Sequence, residues 1–214
     1  MKRLPMNESI DPEMETVVVT SRHTEPSTCS NILMNTLEWK VEVDRWLREN
    51  DIHERVRVKL GLDKVLFHRK LKISISSCPN ACSRPQIADI GMIAFVTPEV
   101  DSEQCTVCGA CVDVCIDNAI TMGEDAPIFD RELCLGCLKC RDNCPVECIS
   151  LSEPSMKILA GGKMGRHPHM AEEIGILKTP QEMIRHIDIL LMDYLENARL
   201  GERFADYRLR KGNP

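Results

Sequence analysis

The sequence predicts an α+β protein in which a small cysteine-rich lobe interrupts a larger unit of strands and helices. Short apolar runs typical of strands stand on both sides of a central segment that holds most of the cysteines. Amphipathic helical patterns occur near residues 30–50 and 180–199. The expected organisation is a poorly ordered arm at 1–16, a main unit formed by 17–97 together with 155–214, and a lobe at 98–154.

Each element of the main unit is predicted from a local pattern. A first strand is predicted at 16–20, where the run TVVVT is rich in β-branched residues. Apolar residues alternate with Lys and Ser at 71–75, which predicts a second strand that is half-buried. Apolar runs at 87–96 and 157–160 predict two further strands. The capping-box pattern TPQE at 179–182 predicts the start of the C-terminal helix, with Pro at its first position.

Composition excludes several classes of protein. The chain has 214 residues, with 27 Lys and Arg set against 33 Asp and Glu, for a formal net charge of -6. No apolar run approaches the roughly 18 residues of a membrane span, and the N-terminus lacks the apolar segment of a signal peptide. An acidic chain without a Lys/Arg cluster does not have the charge that binds nucleic acid. We therefore expect a soluble, cytoplasmic protein with no nucleic-acid partner and no membrane span.

The twelve cysteines fit either a disulfide scaffold of a secreted domain or metal-binding thiolates in a reducing compartment. Eight of them lie between Cys105 and Cys144, in two runs of identical spacing. Disulfide frameworks do not need a cysteine at every third residue, whereas metal sites do. The spacing therefore favours metal binding. The other four cysteines are Cys29, Cys78, Cys82 and Cys148.

Both runs have the spacing Cys-x2-Cys-x2-Cys-x3-Cys, which is the pattern of bacterial dicluster ferredoxins. A tight loop with cysteines at every third position can cover three iron corners of a cubane, so the fourth ligand must come from elsewhere. In these ferredoxins the fourth cysteine of each run binds the other cluster. The predicted ligands are Cys105, Cys108, Cys111 and Cys144 for the first [4Fe-4S] cluster, and Cys134, Cys137, Cys140 and Cys115 for the second.

Details around the two runs support a dicluster lobe with βαβ-type halves. Zinc also binds four cysteines, but zinc patterns usually show two CxxC pairs separated by a longer loop. Gly109 and Gly136 stand beside predicted ligands, where they allow backbone N–H groups to approach the sulfurs. Ile116 replaces the proline found at position 145 in the second run, which leaves every ligand in place. Cys148 is interpreted as a small, buried core thiol.

A second motif lies upstream of the lobe. Residues 77–91 read SCPNACSRPQIADIG, and this segment resembles the CPNxC segment of siroheme nitrite and sulfite reductases. GGKMGRHP at 161–168 is similar to the loop that follows the insertion in that family, and GERF at 201–204 is similar to its C-terminal signature. Several members, including anaerobic and dissimilatory sulfite reductases, carry a dicluster ferredoxin at this point. The resemblance covers most of 16–212 and implies a sulfite-reductase-like α/β unit with an inserted ferredoxin domain.

The resemblance also implies a third [4Fe-4S] cluster. In the family, both cysteines of CPNxC bind a cluster, the second also bridges to siroheme iron, and two further ligands come from an upstream C-x5-C motif. Here the upstream motif retains only Cys29, with His23 six residues earlier. Since imidazole can replace thiolate on cluster iron, the implied ligands are His23, Cys29, Cys78 and Cys82. Alternatively, His23 is a surface histidine and the site is three-Cys, solvent-ligated or empty.

A larger departure from the family concerns the half-domain that precedes this unit in siroheme enzymes. That half-domain supplies basic residues that hold siroheme carboxylates and the anionic substrate, and we expect it to be missing here. A sulfite site needs converging cations, because a dianion must be desolvated and its transition-state charge stabilised. The candidates are Arg22, Arg84, Lys163 and Arg166, each of which could equally be an ordinary surface charge.

Two functions of different classes follow. We favour an iron–sulfur electron-transfer subunit of an oxidoreductase complex, which relays low-potential electrons through two ferredoxin clusters to the third cluster and a partner redox enzyme. The alternative is a subunit of a siroheme-dependent sulfite or nitrite reductase, and a purely structural role for the clusters is a weaker third. Oxygen-sensitive clusters suit an anaerobic cytoplasm. The acidic balance predicts a basic patch on the partner, and oligomerisation stays open.

Overall fold

The computed structural model describes residues 15–25, 27, 29–63 and 65–212. Most of the predicted arm therefore lies outside the described residues. None of the described helices has the length and apolar character needed to cross a membrane. The strands are β1 (Val17–Arg22), β2 (Leu71–Ser76), β3 (Ile90–Phe95), β4 (Pro98–Val100), β5 (Ile120–Met122), β6 (Pro127–Phe129), β7 (Ile149–Leu151), β8 (Ser155–Ala160) and β9 (Glu172–Leu177). The α-helices are α1 (Leu37–Glu49), α2 (Ile52–Leu60), α3 (Ala110–Asp113), α4 (Lys139–Asp142), α5 (Pro180–Asn197) and α6 (Phe204–Lys211).

A five-stranded mixed sheet organises the main unit. Its strand order is β1-β2-β3-β8-β9, with β1, β2 and β3 mutually parallel and β8 and β9 antiparallel to their neighbours. The register aligns Ile73 with Ile90, and Met92 with Ile158, so one face of the sheet is continuously apolar. This architecture confirms the predicted α+β class.

Helices α1, α2 and α5 cover the apolar face of the sheet. In α1, Trp39, Val43, Trp46 and Leu47 are buried, and their spacing of three or four residues places them on one helical face. They join one hydrophobic core with Ile158 and the other apolar residues of the sheet. Burial of each such large side chain stabilises the fold by about 1.5–3 kcal/mol relative to exposure. The core therefore fixes the sheet on which the candidate sites are built.

The prediction that β2 is half-buried is wrong. Ser74 and Ser76 are buried on the face opposite the helices, because the connection from β2 to β3 crosses that face. Ser74 Oγ donates a hydrogen bond to the carbonyl oxygen of Ser83 (2.7 Å), and the hydroxyls of Ser76 and Ser83 lie 2.6 Å apart. Serine is suited to this position because its hydroxyl finds a partner when buried. The CPNxC segment is thus bound directly to the sheet.

The C-terminal helix begins where its capping pattern predicts. Thr179 Oγ1 accepts a hydrogen bond from the backbone N–H of Glu182 (3.2 Å). The Glu182 carboxylate accepts from the backbone N–H of Lys178 (2.7 Å), one residue before the cap. The predictions included neither β9 nor α6, since half of the residues of β9 are exposed and half of α6 consists of charged residues.

The cysteine-rich lobe stands between β3 and β8 and consists of two βαβ halves. One half is β4-α3-β5 and the other is β6-α4-β7. Strand β4 pairs with β7, and β5 pairs with β6, both antiparallel, so the halves are interleaved. Each of the four strands has the same sequence of buried, exposed and half-buried residues. The duplication seen in the sequence is therefore also a duplication of local structure.

The segments that contain the predicted ligands meet at one edge of the main sheet. Because β1, β2 and β3 are parallel, their carboxyl ends meet at the same edge. The segment with His23 and Cys29 follows β1, the CPNxC segment follows β2, and the lobe follows β3. The fold thereby brings together three parts of the chain that are far apart in sequence.

Candidate metal centres

The first predicted ligand set surrounds a single cavity in the lobe. This cavity is lined by Cys105, Cys108, Cys111 and Cys144, together with Cys148. We call it the cluster-one cavity. Three of the four predicted ligands come from the first run, and Cys144 comes from the end of the second run. All its lining residues belong to the lobe.

The second predicted set surrounds a separate cavity, here called the cluster-two cavity. Its lining includes Cys134, Cys137, Cys140 and, from the end of the first run, Cys115. Val96 also lines it, and this residue directly follows β3 of the main sheet. The structure therefore brings together the thiols of each predicted set, including the crosswise fourth member.

The backbone of the two runs repeats the same pair of left-handed residues. In the first run these are Val107 (φ 53°) and Gly109 (φ 81°), and at the matching places in the second they are Gly136 (φ 70°) and Leu138 (φ 76°). Such backbone at a non-glycine residue costs on the order of 1–3 kcal/mol and occurs mostly where function requires it. The bend lets the backbone N–H of Val107 donate to Cys105 Sγ (3.5 Å). The runs are thus shaped to direct N–H groups towards sulfur.

Gly136 also allows the lobe to contact the main unit. A Cβ built on Gly136 would lie 2.1 Å from the carbonyl oxygen of Val96, a distance that no side chain tolerates. A Cβ on Gly109 would meet no atom within 4 Å. Gly109 is therefore required only by the backbone conformation, whereas Gly136 is also required by the close contact with the backbone of Val96.

In the lobe, burial and neighbouring thiols disfavour the thiolate form unless a cation is bound. Burial raises the pKa of Cys140 to about 11, and the neighbouring Cys134 and Cys137 add to the rise. Among the described residues, no three His, Cys, Asp or Glu side chains gather closely enough for one metal ion. A [4Fe-4S] cubane instead presents a separate iron to each of four thiolates, and its irons offset the charge of several thiolates in a half-buried site. The donor set and the two cavities fit this group.

Cys148 is buried, as expected, with 5% of its surface exposed. It is not an isolated core thiol, however, since its Sγ lies 3.4 Å from Cys144 Sγ. Burial is the largest cause that raises the pKa of Cys148, and hydrogen bonds to Cys144 and Cys105 add to the rise. The four-residue spacing from Cys144 is the one feature of the sequence that points to this contact.

The CPNxC segment forms two consecutive tight turns at the sheet edge. The N–H of Ala81 donates to the carbonyl of Cys78 (3.2 Å), and the N–H of Arg84 donates to that of Ala81 (2.8 Å). Both Ala81 (φ 50°) and Arg84 (φ 60°) are left-handed. Burial raises the pKa of Cys78, and the nearby Cys82 and Cys29 thiols contribute. Cys29 and Cys82 are therefore close enough to Cys78 to act on its thiol.

The structure places the backbone of His23 beside this group. Ser77 Oγ donates to the carbonyl oxygen of His23 (2.8 Å) and lies 2.8 Å from the hydroxyl of Thr36. His23 itself is left-handed (φ 54°) and exposed. Ser77, one residue before Cys78, therefore connects the N-cap of α1 at Thr36 with the segment that contains His23. Ligation by the His23 ring stays a prediction.

The basic candidates for an anion site differ in their burial and partners. Lys163 forms an ion pair with Asp206 of α6, and its side chain is 14% exposed. Arg22, Arg84 and Arg166 are exposed. The charge of Lys163 is therefore directed towards Asp206 of α6.

Asp89 is a buried residue that the sequence patterns did not single out. Its carboxylate accepts hydrogen bonds from the backbone N–H of Lys72 (2.8 Å) and from that of Ala205 in the first turn of α6. Burial raises the pKa of Asp89 to about 6, although these hydrogen bonds and the charge of Arg203 lower it. An acid within an apolar run, IADIG, is the signal that could have identified it. Asp89 binds the GERF segment to the CPNxC segment.

The fold and these grouped thiols define an iron–sulfur protein of the sulfite-reductase-like class. The sequence matches the family described as the nitrite and sulphite reductase 4Fe-4S domain over residues 17–213, and the chain belongs to that family. Family membership supports iron–sulfur cluster binding and a redox function.

Named relatives agree with this assignment. The chain is 38% identical to the coenzyme F420-dependent sulfite reductase of Methanocaldococcus jannaschii over 134 residues, which are 63% of this chain and 22% of that protein. It is 34% identical to an uncharacterized protein of the same organism over 153 residues, which are 71% and 52% of the two chains. A subunit of the anaerobic sulfite reductase of Salmonella typhimurium is 38% identical over 50 residues, which are 23% and 15%. The chain thus matches at most about half the length of these relatives.

The crystal structure of dissimilatory sulfite reductase I has a similar fold. The TM-score is 0.63 at 15% sequence identity, and the match covers 92% of this chain and 50% of that one. At such low identity the likeness shows the fold alone. It confirms the sulfite-reductase-like α+β architecture predicted from the sequence.

Proposed function

We propose that the chain is an iron–sulfur electron-transfer protein or subunit with three cluster sites. Two [4Fe-4S] clusters would be held by the thiolates of the cluster-one and cluster-two cavities. A third would be held by Cys29, Cys78 and Cys82, with His23 as the candidate fourth ligand. When bound, such clusters supply one-electron chemistry at potentials set by the surrounding protein.

The observation that carries this proposal is the crosswise sorting of eight thiols into two cavities. Cys144 lines the cavity of the first run, and Cys115 lines that of the second. Thiols that only filled a hydrophobic core would have no reason to collect in fours, since a buried free cysteine packs like any small apolar residue. The arrangement supports two cubane sites over a structural role.

The geometry also supports an order among the sites. The cluster-two cavity adjoins the end of β3 through Val96, whereas the cluster-one cavity is lined by lobe residues alone. The group of Cys29, Cys78 and Cys82 stands at the same edge of the main sheet as Val96. Cluster two therefore lies between cluster one and the third site in this proposal.

A partner would deliver electrons at the cluster-one end of the lobe. Cys108 is exposed there, so this site reaches the surface. The exposed acids Asp101, Glu103 and Asp113 lie on the same part of the chain. A carrier with a basic patch is the complementary partner, because opposite charges steer short-lived encounters. One relative is named as a subunit of a sulfite reductase, which supports a place in an oxidoreductase complex.

Iron analysis of the anaerobically purified full chain tests the proposal. About 12 Fe per chain is expected for three [4Fe-4S] sites, and Cys82→Ala should reduce this to about 8. Cys148→Ala is the matched control, since it also removes a thiol but not a proposed ligand. A wild-type value of about 8 Fe would contradict the third site, and a value well below about 8 Fe would contradict the whole proposal.

One observation favours a second candidate, a subunit of a siroheme-dependent sulfite or nitrite reductase. Cys82 is exposed whereas Cys29 and Cys78 are partly buried, so the Cys82 thiol is open to a second group beside the cluster. In the resembled family this cysteine bridges to siroheme iron. Siroheme absorption in the purified chain would support this candidate and displace the carrier proposal. A brown protein without extractable tetrapyrrole would exclude it for the isolated chain.

A further inference from the structure

The cluster-one cavity holds one thiol more than a cubane requires. Four of its cysteines form the proposed ligand set, and Cys148 is the fifth. Cys148 Sγ lies 3.4 Å from Cys144 Sγ, within the distance of a hydrogen bond between sulfurs. It is also nearly inaccessible to solvent, with 5% of its surface exposed. The Cys148 thiol is therefore shielded from water and lies within hydrogen-bond distance of a protein sulfur.

The first half of the lobe provides an internal comparison. Ala119 occupies the place that Cys148 occupies in the second half, and it is equally buried, at 1% exposure. The preceding residues, Asn118 (φ 52°) and Glu147 (φ 54°), have the same left-handed backbone. The N–H of Ala119 donates to Cys115 Sγ (3.3 Å). The two sites thus share a backbone, and the cluster-one site has an additional S–H donor.

We propose that the Cys148 S–H donates a hydrogen bond to Cys144 Sγ and raises the reduction potential of cluster one relative to cluster two. The inference rests on the proposed function, since it needs a cluster at each site. Reduction is a one-electron step, in which the cluster gains the electron that the reductant loses and Cys148 keeps its proton. The added negative charge is shared by the ligand sulfurs, so a donor stabilises the reduced state more than the oxidised state.

The test is an anaerobic redox titration of the full chain with dithionite, followed by EPR. Cys148→Ala places in the second half of the lobe the alanine that the first half has at position 119. We expect this variant to lower the ratio of reduced to oxidised cluster about fivefold at a fixed potential in one ferredoxin-type transition, and to leave the other unchanged. Cys148→Ser keeps a hydroxyl donor and should recover most of the ratio. Ala119→Cys adds the donor to the other half and should raise the ratio for the other transition.

Iron content and far-UV circular dichroism are measured on every variant. Unchanged transitions in Cys148→Ala and Ala119→Cys, with full iron content, would overturn the inference. A loss of about four irons in Cys148→Ala would also overturn it, because Cys148 would then be a ligand. If Cys148→Ala does not fold, Cys148→Ser and Ala119→Cys still decide the question. A wild-type chain with too little iron for two clusters would instead overturn the proposed function, so the two failures are distinguishable.

Discussion

Substitution of Gly136 by alanine tests how the lobe is attached to the main sheet. Gly136 is left-handed (φ 70°), and a Cβ there would lie 2.1 Å from the carbonyl oxygen of Val96. The left-handed backbone alone costs an L residue about 1–2 kcal/mol. The chain places Val107 at the matching position of the first run with φ 53°, so this conformation by itself is tolerated. The contact with Val96 is what demands glycine in the second run.

Gly109→Ala is the matched control for Gly136→Ala. It imposes a similar backbone penalty at φ 81° but adds a Cβ with no atom within 4 Å. We expect a stability loss of about 1 kcal/mol for Gly109→Ala and of about 2–4 kcal/mol for Gly136→Ala, because overpacking adds about 1–3 kcal/mol. For a chain of this size each kcal/mol lowers the melting temperature by roughly 2–4 °C.

The assay combines anaerobic thermal unfolding with iron retention under a chelator. Gly136→Ala should melt earlier than Gly109→Ala and lose about four irons first, because Gly136 lies between two proposed ligands of cluster two. Gly109→Ala should keep its iron close to the wild-type level. Equal shifts in the two variants would refute the reasoning, since the contact with Val96 would then contribute nothing.

Three further predictions concern the main unit. The pKa of Asp89 is raised from 3.8 to about 6 by burial, so the stability from its bound proton is present below about pH 4 and is lost as pH rises through 6. Asp89→Asn should therefore remove a fall of about 1 kcal/mol in the free energy of unfolding between pH 5 and pH 8, measured by urea denaturation. His23→Ala should alter the EPR signal of the third cluster if the ring is a ligand, and an unchanged signal removes His23 from the ligand set. Ile158→Ala, in the fully buried core, should lower the free energy of unfolding by about 2–5 kcal/mol; a loss below about 1 kcal/mol would contradict the core described here.

The sequence predicted those features that depend on short spacing or local pattern. The strands at 17–22, 71–76, 90–95 and 155–160 and the capped helix α5 follow from periodicity and turn chemistry, which act within a few residues. Strand β9 was missed because it lies at the sheet edge and lacks a strong apolar alternation. Helix α6 was missed because its charged residues mask the buried positions of Phe204 and Tyr207.

The candidate sites divide in the same way. The spacing of the eight lobe cysteines predicts two ligand sets, because a cubane needs closely spaced thiolates from one loop and a fourth from another. The structure places the thiols of each set around one cavity, and cluster binding stays a prediction. Contacts between distant segments could not be read from spacing. The ion pair of Lys163 with Asp206, the contact of Gly136 with Val96 and the burial of Ser74 under the CPNxC segment are of this kind.

By itself, the sequence determined the α+β class, the cysteine runs and the resemblance to siroheme reductases, since these depend on residue type and local spacing. The tertiary structure decided which sites are neighbours. Three parallel strands end at one edge of the sheet, and this parallel arrangement brings Cys29, the CPNxC segment and the lobe to that edge. The tertiary structure also decided that Cys148 lies against Cys144, because the turn after each run places residue 119 or 148 beside the sulfur of Cys115 or Cys144. Side-chain proximity across distant segments follows from packing, which local spacing does not encode.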